Sequence, residues 1–242
     1  MNTKITQKPI FIAVINQRVC PNNQAIVYCN KWFNEVCSTC NYEWPEHFQI
    51  INTARYKSVE DFQAALTLLV GSTRSAVCFY FCMHGRQLKD TTGNINEYLV
   101  IGANGKEDIL MKDDIFSTLI NSFKIEHLYM FNEVCHSGGL LDYIKIDYND
   151  NILPDNVHQT VLIVNTCAKQ QKSFYEIRRE RVKASIFKED YISLGVASTA
   201  LYRNNINPFL NPVLARDFLK TLKLPYGIEA PSVKITYVQN LI

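Results

Sequence analysis

The sequence predicts an α/β fold in which a mostly parallel central β-sheet is covered by helices on both faces. Short apolar runs rich in β-branched and aromatic residues alternate along the chain with segments of helical periodicity. This alternation is typical of parallel sheets, whose strands are buried on both sides and read as continuous apolar stretches. The chain has 242 residues, of which 47% are apolar and 20% charged. This length and composition predict one domain over residues 1–242.

Apolar runs bounded by polar or small residues predict five buried strands. They are Pro9–Ile15, Phe48–Asn52, Ala76–Met83, His127–Phe131 and Thr160–Asn165. A further segment, Ser232–Val238, alternates apolar and polar residues as a closing strand does. We expect that it can lie at a sheet edge, where another chain could pair with it.

The segments between these strands predict helices and one hairpin. A helix is expected from Ser58 to about Val70, because the serine can cap it and an acidic residue follows three positions later. Further helices are expected at about Asp114–Phe123, Ala184–Tyr202 and Pro212–Leu222. After the third strand, a polar loop, Arg86–Glu97, is expected to lead into a short hairpin of Tyr98–Ile101 and Gly102–Asp108.

Charge and cysteine content exclude several classes of function. The net charge of +2 argues against a dedicated nucleic-acid binder, and no apolar run approaches the length of a membrane span. Because Met1–Pro9 is polar and lacks a signal-peptide core, a cytoplasmic location with reduced thiols is expected. Cys37 and Cys40, with Cys29 and His47 nearby, could bind zinc, but a single CxxC pair favours packing cysteines.

Two residues capable of covalent chemistry follow neighbouring apolar runs. His84 comes directly after Ala76–Met83, and Cys135 follows His127–Phe131. The carboxyl ends of adjacent parallel strands meet at one crevice, where an imidazole can activate a thiol. Cys135 lies 51 residues after His84, close to the roughly 50 that separate these groups in caspase-like peptidases. The alternatives are that both are core residues, or that the adjacent His136 is the base.

The residues around both positions resemble those of metacaspases, cysteine peptidases of the caspase–hemoglobinase fold. That family reads Ser-Gly-His-Gly after one strand and Asp-Ser-Cys-His-Ser-Gly after the next. Here the same positions hold Cys82-Met83-His84-Gly85 and Glu133-Val134-Cys135-His136-Ser137-Gly138. The resemblance spans about Pro9 to Asn204. It implies a caspase–hemoglobinase fold with a large-subunit-like part at about 1–177 and a small-subunit-like part at about 184–242.

The resemblance implies a cysteine endopeptidase that acts on proteins or peptides, usually as a monomer. Cys135 would be the nucleophile, because a thiol attacks an amide as a thiolate. His84 would act as general base and then protonate the leaving amine. The backbone N–H groups of Gly85 and Cys135 would form the oxyanion hole, where the missing Cβ of Gly85 permits close approach.

Substrate selection is expected at Glu133. In metacaspases the acid two residues before the nucleophile helps to line a pocket for a P1 arginine or lysine, and Glu133 has that position. The family's second pocket acid corresponds to Asn23, and its pocket serine corresponds to Cys82. One acid instead of two predicts weaker basic selectivity or a shifted preference. The alternative is that Glu133 only caps local backbone.

A calcium site is also implied by the resemblance to calcium-dependent metacaspases. The family's acidic positions correspond to Asn96, Asp113, Asp114 and Asp142. Oxygen ligands gathered from separate loops suit Ca²⁺ better than zinc or copper. Asn96 would contribute a neutral carbonyl and so lower the charge of the site. The alternative is that Asp113 and Asp114 are ordinary acidic residues at a helix N-terminus.

Two features of the second half of the chain concern maturation and the substrate cleft. The family often matures by cleavage after basic residues, and Arg178–Lys183 supplies them in what we expect to be an exposed loop. A run of this kind is also common on solvated surfaces. Asn165–Ser173 resembles a family segment that borders the substrate cleft.

Two further functions stay open at this stage. The altered flanks of His84 and Cys135 are compatible with a catalytically weak or inactive caspase-fold protein used for binding or regulation. A caspase-like peptidase with a different P1 preference, such as aspartate, would need basic residues in its pocket. Glu133 argues against that preference, although the fold could recruit Arg18, Arg55 or Arg86.

Overall fold

The computed structural model describes residues 7–16, 24–42, 47–71, 73–104, 107–134, 160–165, 175–183, 186–222 and 234–239. The strands are β1 Ile10–Ile15, β2 His47–Asn52, β3 Thr73–Met83, β4 Gly85–Lys89, β5 Ile95–Asn104, β6 Glu107–Lys112, β7 Lys124–Val134, β8 Thr160–Asn165, β9 Tyr175–Lys183, β10 Ile186–Gly195 and β11 Lys234–Gln239. The helices are α1 Gln24–Thr39, α2 Val59–Val70, α3 Asp113–Ser122, α4 Val196–Arg203 and α5 Pro212–Lys220, with a 3₁₀ turn at Thr53–Arg55.

Six of these strands form the central sheet, in the order β11-β8-β7-β3-β1-β2. The pairs β1–β2, β1–β3, β3–β7 and β7–β8 are parallel, and β11 is antiparallel to β8 at one edge. The prediction of an α/β fold with a mostly parallel sheet is therefore confirmed, as is the edge position of the last strand.

The two faces of the sheet pack into two separate cores. Alternate residues of each strand point to opposite faces, so that Phe79 and Phe81 of β3 enter one core and Cys78 and Tyr80 enter the other. The first core also contains residues of α2, α3, β5 and β6. The second contains residues of α1, α4 and α5. All six residues of β1 are buried, as expected for a strand covered on both faces.

Helix α2 forms where the sequence predicts it. The hydroxyl of Ser58 accepts a hydrogen bond of 3.1 Å from the backbone N–H of Asp61, which satisfies one of the donors left free at the start of a helix. Phe62, Leu66 and Val70 recur at helical spacing and are buried against the sheet.

Helix α1 is a part of the fold that the sequence interpretation missed. Its buried residues, Ala25, Ile26, Cys29, Trp32, Phe33, Val36 and Cys37, follow the spacing of an amphipathic helix. Cys29 and Cys37 lie in the second core, whereas Cys40 is exposed. Packing thus accounts for the two buried thiols of this segment.

The predicted polar loop at Arg86–Glu97 is wrong. This segment contains β4 and the start of β5, which form a three-stranded antiparallel sheet with β6. The turn between β4 and β5 is organised by Asp90, whose carboxylate accepts hydrogen bonds from the backbone N–H groups of Thr92 and Asn94. The polar residues therefore belong to an exposed edge strand and its turn.

The predicted helix at Ala184–Tyr202 is wrong over its first half, and the predicted loop at Arg178–Lys183 is also wrong. β9 and β10 pair as an antiparallel ribbon, and α4 begins only at Val196. The register sets Arg178 opposite Asp190 and Arg179 opposite Glu189. The basic run is therefore one strand of an antiparallel pair.

The predicted hairpin of Tyr98–Ile101 and Gly102–Asp108 is also wrong, because β5 runs through both segments and pairs with β4 on one side and β6 on the other. The other predicted elements agree with the structure over the described residues. Helix α3, helix α5 and strand β11 lie within two residues of the predicted segments. None of the helices in the described ranges has the length and apolar character that crossing a bilayer requires.

Candidate functional site

His84 lies at the carboxyl end of β3, in the middle of the central sheet. It is the residue between β3 and β4, and its carbonyl oxygen accepts a hydrogen bond of 2.9 Å from the backbone N–H of Val100. The next residue, Gly85, pairs with Leu99 of β5. The small antiparallel sheet therefore fixes the backbone of His84, while its side chain is exposed.

The strand that precedes Cys135 is the direct neighbour of the strand that precedes His84. In the β3–β7 register Met83 pairs with Val134, and Cys82 pairs with Glu133. Val134 is buried and is the last described residue of β7. Cys135 and His136 lie outside the described residues.

The surroundings of His84 lower the pKa of its imidazole below the usual 6.5. The largest cause is partial desolvation of the ring, followed by the positive charge of Arg86, and Asp108 acts in the opposite direction. The imidazole is therefore mainly neutral at neutral pH, and a neutral imidazole can accept a proton from a thiol.

A pocket of about 370 Å³ adjoins His84. It is lined by Asn16, Ala54, His84, Gly85, Arg86, Val100, Gly102, Ala103 and Asp108. The guanidinium of Arg86 forms an ion pair with the carboxylate of Asp108 across its wall. The pocket thus combines small apolar side chains with one charged pair beside the proposed base.

Glu133 is buried on the second face of the sheet, with 1% of its surface exposed. The hydroxyl of Tyr80 donates a hydrogen bond of 2.6 Å to one carboxylate oxygen. Ser198 donates to the other oxygen from its backbone N–H at 3.2 Å and its hydroxyl at 3.0 Å. Burial raises the pKa of Glu133, and these three hydrogen bonds oppose that shift.

This geometry bears on the predicted P1 pocket. The carboxylate of Glu133 is hydrogen-bonded to the first turn of α4 and to Tyr80, so a substrate side chain that binds it would compete with these donors. Cys82 is opposite Glu133 in the register and is fully buried in the second core. Asn23 lies outside the described residues. The assignment of Glu133, Cys82 and Asn23 to substrate binding stays a prediction.

The predicted calcium ligands have separate partners in the described part of the chain. The amide of Asn96 donates to Asp90, and the carboxylate of Asp114 pairs with Lys112 at 3.2 Å. Asp113 is buried, and its carboxylate accepts a hydrogen bond from the hydroxyl of Ser117 at 3.5 Å.

Asp142, the fourth predicted ligand, lies outside the described residues. Within the described ranges no group of three or more candidate ligands is gathered. The described residues do not by themselves fit a calcium site, and calcium stays a prediction.

Sequence reasoning missed the partners of Glu133 and the charged pair in the pocket. Tyr80 shares a face with Cys82, the register partner of Glu133, so strand alternation alone could have indicated it. Ser198 lies 65 residues beyond Glu133 in the chain, and no local pattern signals that contact. Arg86 and Asp108 come together because β4 and β6 lie on either side of β5. The sequence analysis predicted a loop in place of β4 and so missed this arrangement.

Comparisons with known proteins bear on the fold. The sequence matches no protein-family model and no curated protein. The crystal structure of protein GSU0716 from Geobacter sulfurreducens, a structural genomics target, is similar to this structure with a TM-score of 0.51. The two chains are 12% identical, and the match covers 98% of this chain and 95% of that one. At this identity the similarity concerns the α/β fold alone.

Proposed function

We propose that this chain is a cysteine endopeptidase of the caspase–hemoglobinase fold, with Cys135 as nucleophile and His84 as general base. The observation that carries the proposal is the pairing of Met83 with Val134 in adjacent parallel strands. His84 and Cys135 are the next residues of the two strands in the sequence. Consecutive Cα atoms are about 3.8 Å apart, so chain connectivity keeps the Cα atoms of both residues near the same edge of the sheet.

The proposed mechanism uses the neutral imidazole of His84. It takes the proton from the Cys135 thiol, and the thiolate attacks the carbonyl carbon of the scissile bond. Backbone N–H groups of Gly85 and Cys135 stabilise the resulting oxyanion. His84 then gives the proton to the leaving amine, the C–N bond breaks and a thioester forms. A water molecule, deprotonated by His84, hydrolyses the thioester and regenerates the thiol.

We propose a preference for arginine or lysine at P1, with Glu133 as its acid. The carboxylate would exchange a hydrogen bond from Ser198 or Tyr80 for one from the substrate cation. That exchange costs part of the binding free energy, so the preference is expected to be weaker than in a site with an open acid. A monomer acting on peptides or proteins is expected, and calcium enters no step of the mechanism.

A second function is favoured by the same carboxylate. Glu133 is sealed inside the fold by Tyr80 and Ser198, an arrangement that also suits a caspase-fold protein that binds partners without cleaving them. In that case the imidazole of His84 would not activate Cys135, and the thiol would behave like an ordinary cysteine.

Thiol alkylation separates the two functions without knowledge of the substrate. We expect iodoacetamide to modify Cys135 at least about tenfold faster than Cys40 at neutral pH, because Cys135 would have an activated thiolate. Cys40 is the control, since it is accessible to the reagent and partial desolvation raises the pKa of its thiol, so it is not activated. His84→Ala is expected to remove the difference. Equal rates for Cys135 and Cys40 in the native protein would support the binding function.

Cleavage of a random peptide library, with the products sequenced by mass spectrometry, then defines the reaction. The native protein is expected to cut after arginine or lysine, and Cys135→Ala is expected to cut nothing. Cleavage after aspartate would keep the nucleophile and overturn the role of Glu133. Adding calcium or a chelator to the same assay tests whether the metal is required.

A further inference from the structure

We propose that the pocket beside His84 binds the substrate residue that follows the scissile bond, and that Arg86 makes it prefer aspartate or glutamate there. This inference rests on the proposed peptidase function. It concerns the leaving half of the substrate, whereas Glu133 concerns the residue before the cut.

The pocket lies beside His84, on the side away from β7. Its described lining residues come from the ends of β1, β2 and β3 and from β4, β5 and β6, as in Asn16, Ala54 and Asp108. None of the described lining residues comes from β7 or β8. Since β3 lies between β7 and β1, His84 separates this pocket from the strand that leads to Cys135.

In the proposed reaction, the two halves of the substrate have different partners in the enzyme. The acyl half of the substrate becomes bonded to Cys135, and the leaving amine receives its proton from His84. In the proposed complex the leaving amine therefore contacts His84, and the chain beyond it would continue on the side of His84 away from β7. The pocket lies on that side.

Several of the residues that line the pocket are small. Ala54, Gly85 and Ala103 have small or no side chains, and the volume of about 370 Å³ lies near the lower end of the range for ligand pockets. A pocket of this size has room for any single amino-acid side chain. At Gly102 an added Cβ would lie 3.3 Å from the carbonyl oxygen of Tyr56, so glycine lets β5 pack closely against the turn after β2.

The charged pair determines which side chain is preferred. The side chain of Arg86 is 54% exposed, whereas that of Asp108 is 25% exposed. Asp108 holds one end of the guanidinium, and Arg86 keeps further N–H donors for a second carboxylate. A lysine in the same place would lie beside the more exposed guanidinium, and its only counter-charge in the described lining would be the less exposed Asp108, which Arg86 already partly neutralises.

Cleavage-site sequencing tests this preference. In a peptide library cut by the native protein, aspartate and glutamate are expected after the scissile bond about fivefold more often than lysine, as one charge-assisted hydrogen bond at a partly exposed site allows. Arg86→Met is expected to remove the enrichment, and Arg86→Glu is expected to reverse it toward lysine. The matched control is Arg216→Met, because Arg216 forms an exposed ion pair with Asp217 on α5. An unchanged residue distribution in Arg86→Met would overturn the inference.

Binding of the leaving product gives a readout that does not depend on cleavage. Fluorescent peptides that begin with a free aspartate or lysine are titrated against Cys135→Ala by anisotropy. The aspartyl peptide is expected to bind about fivefold more tightly, and Arg86→Met in the same background is expected to abolish the difference. Equal affinities would overturn the pocket assignment. If Cys135 is nevertheless alkylated rapidly, the proposed peptidase function is retained. Slow alkylation of Cys135 would instead overturn the peptidase, and this inference with it.

Discussion

The carboxylate of Glu133 and the hydroxyl of Tyr80 form a hydrogen bond of 2.6 Å inside the second core. The bond joins β7 to β3 beside the pair of residues that lead to Cys135 and His84. The same carboxylate also holds the first turn of α4 through Ser198. Glu133 therefore connects the two central strands to a helix that comes much later in the chain.

Tyr80→Phe tests the contribution of this hydrogen bond to stability. The substitution removes one donor from a buried carboxylate, and we expect the free energy of unfolding to fall by about 1–3 kcal/mol. Urea denaturation measures the change. Tyr56→Phe is the control, because Tyr56 is half-buried with its ring against Phe62, and it is expected to change stability by much less. Equal effects of the two substitutions would contradict the role assigned to the Tyr80 hydroxyl.

Glu133→Gln tests the buried charge through the dependence of stability on pH. The pKa of Glu133 is raised in the folded protein. At pH values between the pKa of the unfolded state and that of the folded state, the folded state therefore binds more protons than the unfolded state. Stability therefore falls as pH rises through that window, and it is recovered on acidification. Glu133→Gln removes this contribution.

Thermal melts at about pH 5 and about pH 8 measure the effect of Glu133. We expect the native protein to gain stability at the lower pH relative to Glu133→Gln. The same comparison with Glu60→Gln, an exposed carboxyl on α2, is expected to show little difference. A pH-independent gap between the native protein and Glu133→Gln would contradict the raised pKa.

The pH dependence of Cys135 alkylation tests the environment of His84. Because partial desolvation of the ring and the positive charge of Arg86 lower the pKa of His84 from 6.5, the acid limb of the rate profile is expected to have its midpoint below pH 6.5. Arg86→Met removes a positive charge and leaves Asp108, so the midpoint is expected to rise. Arg216→Met is expected to leave the profile unchanged. A midpoint that does not move in Arg86→Met would show that Arg86 does not act on His84.

Ser58→Ala tests the start of α2. The alanine leaves the N–H of Asp61 without its capping acceptor, and a loss of about 1 kcal/mol in the free energy of unfolding is expected. Ser58→Asp retains an acceptor at the same position and is expected to keep most of that stability. If both substitutions cost the same in urea denaturation, the capping bond is not what stabilises this end of the helix.

The parts of the fold that the sequence predicts are those with a strong local pattern. β1 is a continuous apolar run and β3 and β8 each contain one, and α2 has both a cap at Ser58 and apolar residues at helical spacing. β9 and β10 have no such signal. These two strands pair with each other in an antiparallel ribbon, and no short-range pattern in the sequence indicates that pairing.

Some residues of the candidate site could likewise be predicted from the sequence, and others could not. His84 could be predicted because a strand ends immediately before it, and the parallel sheet then sets its position. The pairing of Arg86 with Asp108 could not be predicted, because it requires the turn at Asp90 to reverse the chain and β5 to align both strands. The contact of Glu133 with Ser198 likewise depends on how α4 docks after a segment whose structure was predicted incorrectly.

The position of β9 in the chain has a consequence for proteolytic nicking. The segments that follow it contribute to the interior and to the sheet: Leu201 and Leu219 lie in the second core, and β11 completes the sheet beside β8. A cut within Arg178–Lys183 would therefore yield two polypeptides that interdigitate through a shared core. Such a nicked molecule would migrate as two bands on a denaturing gel and elute as one particle from a sizing column.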